Sequence, residues 1–310
     1  MITKDENKLL SIVLPSYNEE KSILKTAEIL SQILKENQIN YELVFVNDGS
    51  EDQTWNIIKE AHKFDSQIVG VCFSRNFGKE AAIYAGLKHT LGTVVAVMDC
   101  DLQHPPNTLL EMYHLWEQGY EVIEGVKTDR GKESFVHKIA SKVFYKIMSK
   151  SIGIDMENAS DFKMLDRKAV NSLCSMPERN TFFRALSSWV GYKKATVYFE
   201  VQERLQGKSK WSIHSLIRYA LDNISAFTAA PLQLVTISGV FTFFIGVIMS
   251  IQTLMQYFKG NAVEGFTTVI LLLLYVGSII MISLGILGYY LSKIYDEIKH
   301  RPKYIVSDKT

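Results

Sequence analysis

Asp99 and Asp101 flank a single residue at the end of an apolar run, in TVVAVMDCDLQHPP (93–106). Two carboxylates spaced this way at a strand end can point toward one hard divalent cation and, through it, toward a diphosphate. Gln103 can add a neutral oxygen ligand. A lone D-x-D is more often a pair of loop carboxylates in water. Here a second acidic turn favours the functional reading, because Asp48, set between Asn47 and Gly49-Ser50, closes another apolar run, YELVFVN (41–47). Arg75 and Lys79, in SRNFGK (74–79), put cations where phosphate could be met, although a solvated helix start would look the same. Asp161, in Ala159-Ser-Asp-Phe-Lys163, is a further isolated carboxylate, with an ordinary helix cap as its structural alternative.

Elements able to position these groups are legible as four short apolar runs rich in β-branched residues: 9–15, 41–47, 68–73 and 93–99. Near-continuous apolar strands suit a parallel sheet covered on both faces. Between them, Lys21–Asn37, Asp52–Phe64 and Lys79–Thr90 carry apolar residues at helical spacing. The alternation predicts a doubly wound α/β sheet, in which sites form at the carboxyl ends of the strands. No GxGxxG follows the first strand, and no GxxxxGK with a following Ser or Thr occurs. A nucleotide would therefore be held otherwise than in a dinucleotide dehydrogenase or a P-loop phosphotransferase.

The chain has 310 residues, with 34 Lys+Arg against 33 Asp+Glu, so it lacks the basic excess of a dedicated nucleic-acid binder. Its three cysteines, Cys72, Cys100 and Cys174, show no metal-ligand spacing and fit a reducing compartment. No basic segment followed by a long apolar one opens the chain, so no secretory signal is expected. Charge is absent from Asn223 to Phe258 and again from Gly265 to Ser292. Leu232–Tyr257 and Thr268–Leu291 each exceed the roughly 20 residues a helix needs to span hydrocarbon. The short link between them implies an antiparallel transmembrane hairpin. Lys293, Lys299, Arg301 and Lys303 after it, with Arg204, Lys208, Lys210 and Arg218 before it, outnumber Lys259 in the link, which places the large domain and both termini in the cytoplasm of a plasma-membrane protein.

SIVLPSYNEE, VNDGSEDQT and VMDCDLQHPP, together with FSRNFGKEAAIYAGL, DFKMLDRKAV and RLQGKSKWS, resemble glycosyltransferase family two. With the two apolar spans they resemble its polyprenyl-phosphate branch, which includes bactoprenol glucosyltransferases and dolichol-phosphate mannose synthases. Asn47 stands where Asp is frequent, and Cys100 where Ala is usual. The resemblance implies a GT-A (Rossmann-like) domain over 1–211, a juxtamembrane amphipathic helix over 212–230, spans at 231–258 and 265–292, and a cytosolic tail at 293–310. It also implies that Pro15, Tyr17 and Glu19 surround the base and ribose of a UDP-sugar, with Asp48 at the base and Arg75 and Lys79 near the nucleotide. Asp99, Asp101 and Gln103 would hold Mg2+ or Mn2+, and Asp161 matches the position assigned as catalytic base. Family members form homotetramers, and a flippase and a downstream transferase would use a lipid-linked product in cell-wall or surface-glycan modification.

A lipid monophosphate with a second pKa near ~6 is already largely anionic at cytosolic pH, so Asp161 is expected mainly to position the acceptor for in-line attack. Lys138, Lys142, Lys146 and Lys150 recur every fourth residue beside an apolar stripe, the pattern of a helix lying on an anionic bilayer. Ser212–Phe227 forms a second such candidate. Arg204, Lys208 and Lys210, around Gly207, are candidates to grip the acceptor phosphate, with Arg130 and Lys138 in support. The rival readings are a processive polysaccharide synthase and a non-catalytic membrane scaffold with a degenerate fold. Absence of a QxxRW motif argues against the first, and the intact carboxylates against the second.

Overall fold

The computed structural model describes residues 8–128, 149, 160–178, 182–200, 230–259 and 265–310. The chain divides into two compact units, residues 1–216 with 302–310, and residues 217–301.

The first unit is built on β1 (Leu10–Ser16), β2 (Tyr41–Asn47), β3 (Ile68–Phe73) and β4 (Val94–Val97). They lie parallel in the order β4-β1-β2-β3, with Ser16 beside Asn47 and Val13 beside Val97. β2 and β4 are buried along their whole length, as expected of strands covered on both faces. Helices α1 (Ile23–Glu36), α2 (Thr54–Phe64) and α3 (Lys79–His89) supply the crossovers. α3 lies so close to β1 that a methyl group at Gly86 would collide with Val13, so glycine there sets the depth of packing.

Beyond β4 the sheet reverses. α4 (Pro106–Glu117), opened by a proline whose missing N–H costs nothing in the first turn, leads into β5 (Val122–Lys127). β6 (Lys163–Asp166) then inserts antiparallel between β4 and β5, and β7 (Lys194–Phe199) pairs parallel with β5 at the edge. α5 (Arg167–Ser175), capped by the Asp166 carboxylate on the Lys168 amide, and α6 (Phe183–Trp189) follow β6. None of β5, β6 and β7 is a continuous apolar run, since they carry Glu124, Lys127, Lys163 and Lys194. Such strands escape a reading based on hydrophobic pattern.

The expected tail over 293–310 takes another form. Helix continues to Ile298, because residues 293–298 keep helical spacing, and β8 (Val306–Lys309) pairs antiparallel with β3. Thr310 exchanges hydrogen bonds with Gly70, and Trp55 Nε1 donates to Asp308 Oδ2 at 3.1 Å. The Tyr304 ring stacks on Phe73 at 5.0 Å, and Lys303 lies over the Tyr84 ring. An otherwise open sheet edge is thereby closed.

The second unit contains α7 (Ala230–Phe258, 29 residues) and α8 (Phe266–Ile298, 33 residues). Within the described residues, Tyr275–Ile298 is long and apolar enough to cross a membrane, with mean hydropathy 1.6, and Val235–Met249 is a shorter apolar stretch. Phe243, Phe244, Ile248, Leu273 and Met281 are exposed, more apolar surface than an aqueous helix pair normally shows.

Tyr304→Leu retains bulk but loses the stack on Phe73, and is expected to lower stability by about 1 kcal/mol. Deleting 302–310 uncovers β3 and should lower the thermal midpoint of the detergent-solubilised protein further and promote aggregation, readable by scanning fluorimetry and light scattering.

Candidate active site

Loops at the carboxyl ends of β1, β2 and β3 are laced together by side chains. Asn18, in the left-handed region at φ 54°, donates its backbone N–H to Ser50 Oγ, while its side-chain Oδ1 accepts from the Glu51 amide. Glu19 N–H donates to Thr54 Oγ1, and Glu20 and Asp52 bind across the same gap. Gly49, at φ 65°, abuts the backbone of Arg75 and Asn76, and any side chain there would strike both. Asp48 is buried, and its carboxylate accepts from the Phe77 amide at 2.7 Å and the Gly78 amide at 2.9 Å. Burial pushes its pKa up, with the two amides opposing.

The β4 turn is strained in a specific place. Leu102, between Asp101 and Gln103, sits at φ 55°, unfavourable for a branched residue. Asp101 Oδ1 accepts from the Gln103 amide at 3.1 Å. His104 packs flat on Phe162 at 4.6 Å and edge-on to Phe199, and its Nδ1 faces the Asp99 amide. Burial lowers the His104 pKa to about 4, so the ring stays neutral.

Opposite this turn, Asp161, immediately before β6, is buried and fully engaged. Arg184 from α6 donates Nε to Oδ1 at 2.7 Å and Nη2 to Oδ2 at 2.9 Å, and Lys79 Nζ reaches Oδ2 at 2.8 Å. The same Lys79 ammonium lies 2.6 Å from Asp99 Oδ1 and so bridges the two carboxylates. Burial would raise the Asp161 pKa, but Arg184 and then Lys79 outweigh it and hold it well below the usual carboxylate range. For Lys79 too, burial opposes the charge, and Asp161 and Asp99 reverse the outcome and raise its pKa.

Behind this array a second ion pair fixes α6. Lys163 is fully buried, with Nζ 3.0 Å from Glu124, 3.2 Å from the Arg184 carbonyl and 3.1 Å from Ser188 Oγ. From the other side, Glu80 Oε2 accepts from the Phe183 amide at 2.9 Å. Arg184 is thus aimed at Asp161 by contacts to its own carbonyl and to the residue before it.

Residues 11–174 match the family described as Glycosyl transferase family 2. The chain belongs to that family. It is 38% identical over 298 residues to the uncharacterized glycosyltransferase YkcC of Bacillus subtilis, spanning 96% of this chain and 92% of that one. With the bactoprenol glucosyl transferase of Shigella phage SfV identity is 35% over 305 residues, spanning 97% of this chain and 98% of the relative. A prophage bactoprenol glucosyl transferase homolog of Escherichia coli is 34% identical over 96% of this chain and 98% of its own. Glucosyl-3-phosphoglycerate synthase from Mycobacterium tuberculosis, a solved structure, is similar at TM-score 0.49 and 21% identity over 71% of this chain and 79% of that one. The mixed sheet fits the GT-A fold of this glycosyltransferase family, and similarity to the polyprenyl-phosphate branch runs nearly end to end.

In this glycosyltransferase Pro15 lies within β1, beside Val46, and Tyr17 and Glu19 lie on the loop after it, with Tyr17 exposed and Glu19 accepting from Ser22 Oγ. Asp48 spends its carboxylate on the Phe77 and Gly78 amides of the β3–α3 loop. Arg75 extends over the Phe77 ring at 4.3 Å, whereas Lys79 points to Asp99 and Asp161. Arg130, Lys138, Arg204, Lys208 and Lys210 lie outside the described residues, as do Lys142, Lys146, Lys150 and the segment 212–227. The two departures from the family pattern make sulfur contacts: Asn47 Nδ2 donates to Cys72 Sγ, and Ser16 Oγ lies 3.1 Å from Cys100 Sγ.

Glu80, Lys127, Lys163 and Arg184 were not singled out by sequence. Glu80 and Lys163 adjoin recognised motif residues, but Arg184 stands in a stretch of mixed polarity that carries no spacing signal. Lys127, at the end of β5, is desolvated by burial, which lowers its pKa, while Asp99 and Asp101 act in the opposite sense. No group of three or more acidic, imidazole or thiol side chains gathers at metal-binding distance among the described residues. The β4 turn nevertheless offers two hard carboxylates, one of them already holding a cation. Two hard oxygen donors of this kind would suit a divalent cation such as Mg2+ or Mn2+.

Burial, reinforced by Asp161, raises the Glu80 pKa from 4.5 to about 7. Between those values the unfolded chain gives up a proton the folded chain keeps, so this contribution to stability is lost as pH rises through the window. Glu80→Gln is expected to remove the loss, so that its thermal midpoint improves relative to the parent between pH 5 and 7.5. Asp161 acts with the opposite sign, stabilising above its unfolded value of 3.8 and failing as pH falls below it.

Proposed function

We propose that this glycosyltransferase moves one hexosyl unit, glucose or N-acetylglucosamine, from a UDP-sugar to undecaprenyl or a related polyprenyl phosphate, with inversion at the anomeric carbon. The observation that carries the acceptor is the near full-length similarity to proteins named bactoprenol glucosyl transferases, which extends through both long helices. The donor reading is supported by the joined loops 15–20, 47–52 and 74–79 at the strand ends where a nucleotide is met in open α/β sheets.

A divalent ion held by Asp99 and Asp101 would stabilise the leaving diphosphate as charge builds on it. Gln103 is the further ligand carried over from the resemblance. Asp161 serves as a positioning group. Its three short contacts to cations leave it a weak base, and a phosphate acceptor brings its own anionic oxygen. Arg184 and Lys79, held on Asp161, face the same space as Asp99 and can orient phosphate oxygens of donor or acceptor. Arg204, Lys208 and Lys210, with Arg130 and Lys138, remain the proposed grip on the lipid phosphate.

α7 and α8 are read as a hairpin through the plasma membrane. Residues 1–216 and 302–310 fold as one unit, so the chain between them must return to the side it left, which two crossings achieve. The catalytic unit would then face the cytoplasm with both termini, and the basic segment 138–150 would rest on the bilayer. Homotetramer formation, and use of the product by a flippase and a downstream transferase, follow from the branch resemblance.

Offered UDP- and GDP-sugars in turn with undecaprenyl phosphate, the purified protein should convert one UDP-hexose to a lipid-linked monosaccharide, detected by mass spectrometry. No product from any donor, or a polymer, would overturn the assignment. Asp161→Asn should lower turnover by roughly 100-fold or more with the shape of the pH profile kept, as loss of fixed electrostatic positioning predicts. A loss that disappears at high pH would instead mark Asp161 as the proton acceptor.

A further inference from the structure

We infer that Lys79 is a resident counter-cation that closes the Asp99 carboxylate to a divalent ion until a nucleoside diphosphate draws its ammonium away. This rests on the metal reading proposed above and adds an order to it: donor and metal enter together.

Lys79 is the first residue of α3, and its backbone is anchored by the β3–α3 loop that Asp48 clasps through the Phe77 and Gly78 amides. Beyond that anchor the side chain is four flexible methylenes, 39% exposed, ending in an ammonium 2.6 Å from Asp99 Oδ1 and 2.8 Å from Asp161 Oδ2. The two carboxylates are not equally dependent on it. Asp161 keeps the two nitrogens of Arg184 if Lys79 leaves, at 2.7 and 2.9 Å. Asp99 has Lys79 as its recorded ion-pair partner among the described residues, so departure of the ammonium exposes a partly desolvated carboxylate.

A divalent ion arriving alone meets a carboxylate already neutralised, beside a positive charge that repels it. A diphosphate arriving alone can draw the ammonium away only by leaving the Asp99 charge unpaired beside it. When both arrive, one cation replaces another on Asp99, and the freed ammonium finds phosphate oxygens within the swing of its stem. Lys127, at the end of β5, feels the charges of Asp99 and Asp101 but makes no ion pair with Asp99. Each ligand therefore raises the affinity of the other, and the coupling is reciprocal.

Binding of Mn2+ to the full-length protein in detergent, followed by electron paramagnetic resonance without nucleotide, tests this directly. Lys79→Met should bind Mn2+ alone roughly tenfold or more tightly than the parent, within the usual range of coupling between sites. Added UDP should tighten Mn2+ binding strongly in the parent and much less in Lys79→Met. Lys79→Arg, which keeps a cation on Asp99, should behave as the parent, and Asp99→Asn should weaken binding in either background. Equal or weaker Mn2+ binding by Lys79→Met, with Mn2+ still bound when UDP is present, would overturn the gate and leave the metal reading intact. Failure of Mn2+ to bind parent or variant even with UDP would overturn both.

Discussion

Asp161 is a buried carboxylate with cations from two separate helices on it, and the geometry of the site depends on that charge being present. Taking a carboxylate out of water is expensive unless it is paired and hydrogen-bonded with good geometry. Here Arg184 supplies a two-pronged contact and Lys79 a third. The same requirement works outward. α6 must lie where Arg184 can reach, which Lys163 ensures by holding the Arg184 carbonyl from β6. α3 must begin where Lys79 can reach, which Asp48 ensures by holding residues 77–78.

Strain and exclusion complete what charge begins. Asn18 and Leu102 occupy the left-handed region, and each borders carboxylates or loops that face the site. Such conformations cost on the order of 1–3 kcal/mol and persist only where the surroundings enforce them. For Asn18 the enforcement is visible in its bonds to Ser50 and Glu51. For Leu102 it is burial of the side chain under the β4 turn. Neutral His104 fills the space beneath Asp99 with an uncharged ring, so that the cation beside that carboxylate is Lys79.

The four parallel strands were readable because each is a short apolar run set between helical patterns, and their carboxyl ends announced Asp48, Asp99 and Asp101. Asp161 is legible through its neighbours in the motif. Arg184 is not, since a cation that reaches a carboxylate from a short helix leaves no periodic trace. β5, β6 and β7 were missed for the same physical reason. Lys163 of β6 is paired inside the fold with Glu124 of β5, which has no one-dimensional signature, and Lys194 of β7 is exposed at the sheet edge. The strand in the 293–310 tail leaves no signal of its own: it is short, mostly polar and largely exposed, and the edge of β3 makes it a strand.

Around the D-x-D turn, Asp99, Asp101 and Asp161 face Lys79, Lys127 and Arg184, while Glu80 is close to half protonated near neutral pH. Among the described residues these charges nearly cancel. Added negative charge from a diphosphate alone, or added positive charge from a divalent ion alone, would disturb that neutrality in a partly desolvated place, where uncompensated charge is costly. Only the two together preserve it. A lipid phosphate brought to the same space would add one further anion, beside an Arg184 guanidinium that stays bonded to Asp161. The arrangement thus favours a fully assembled complex over any half-loaded one.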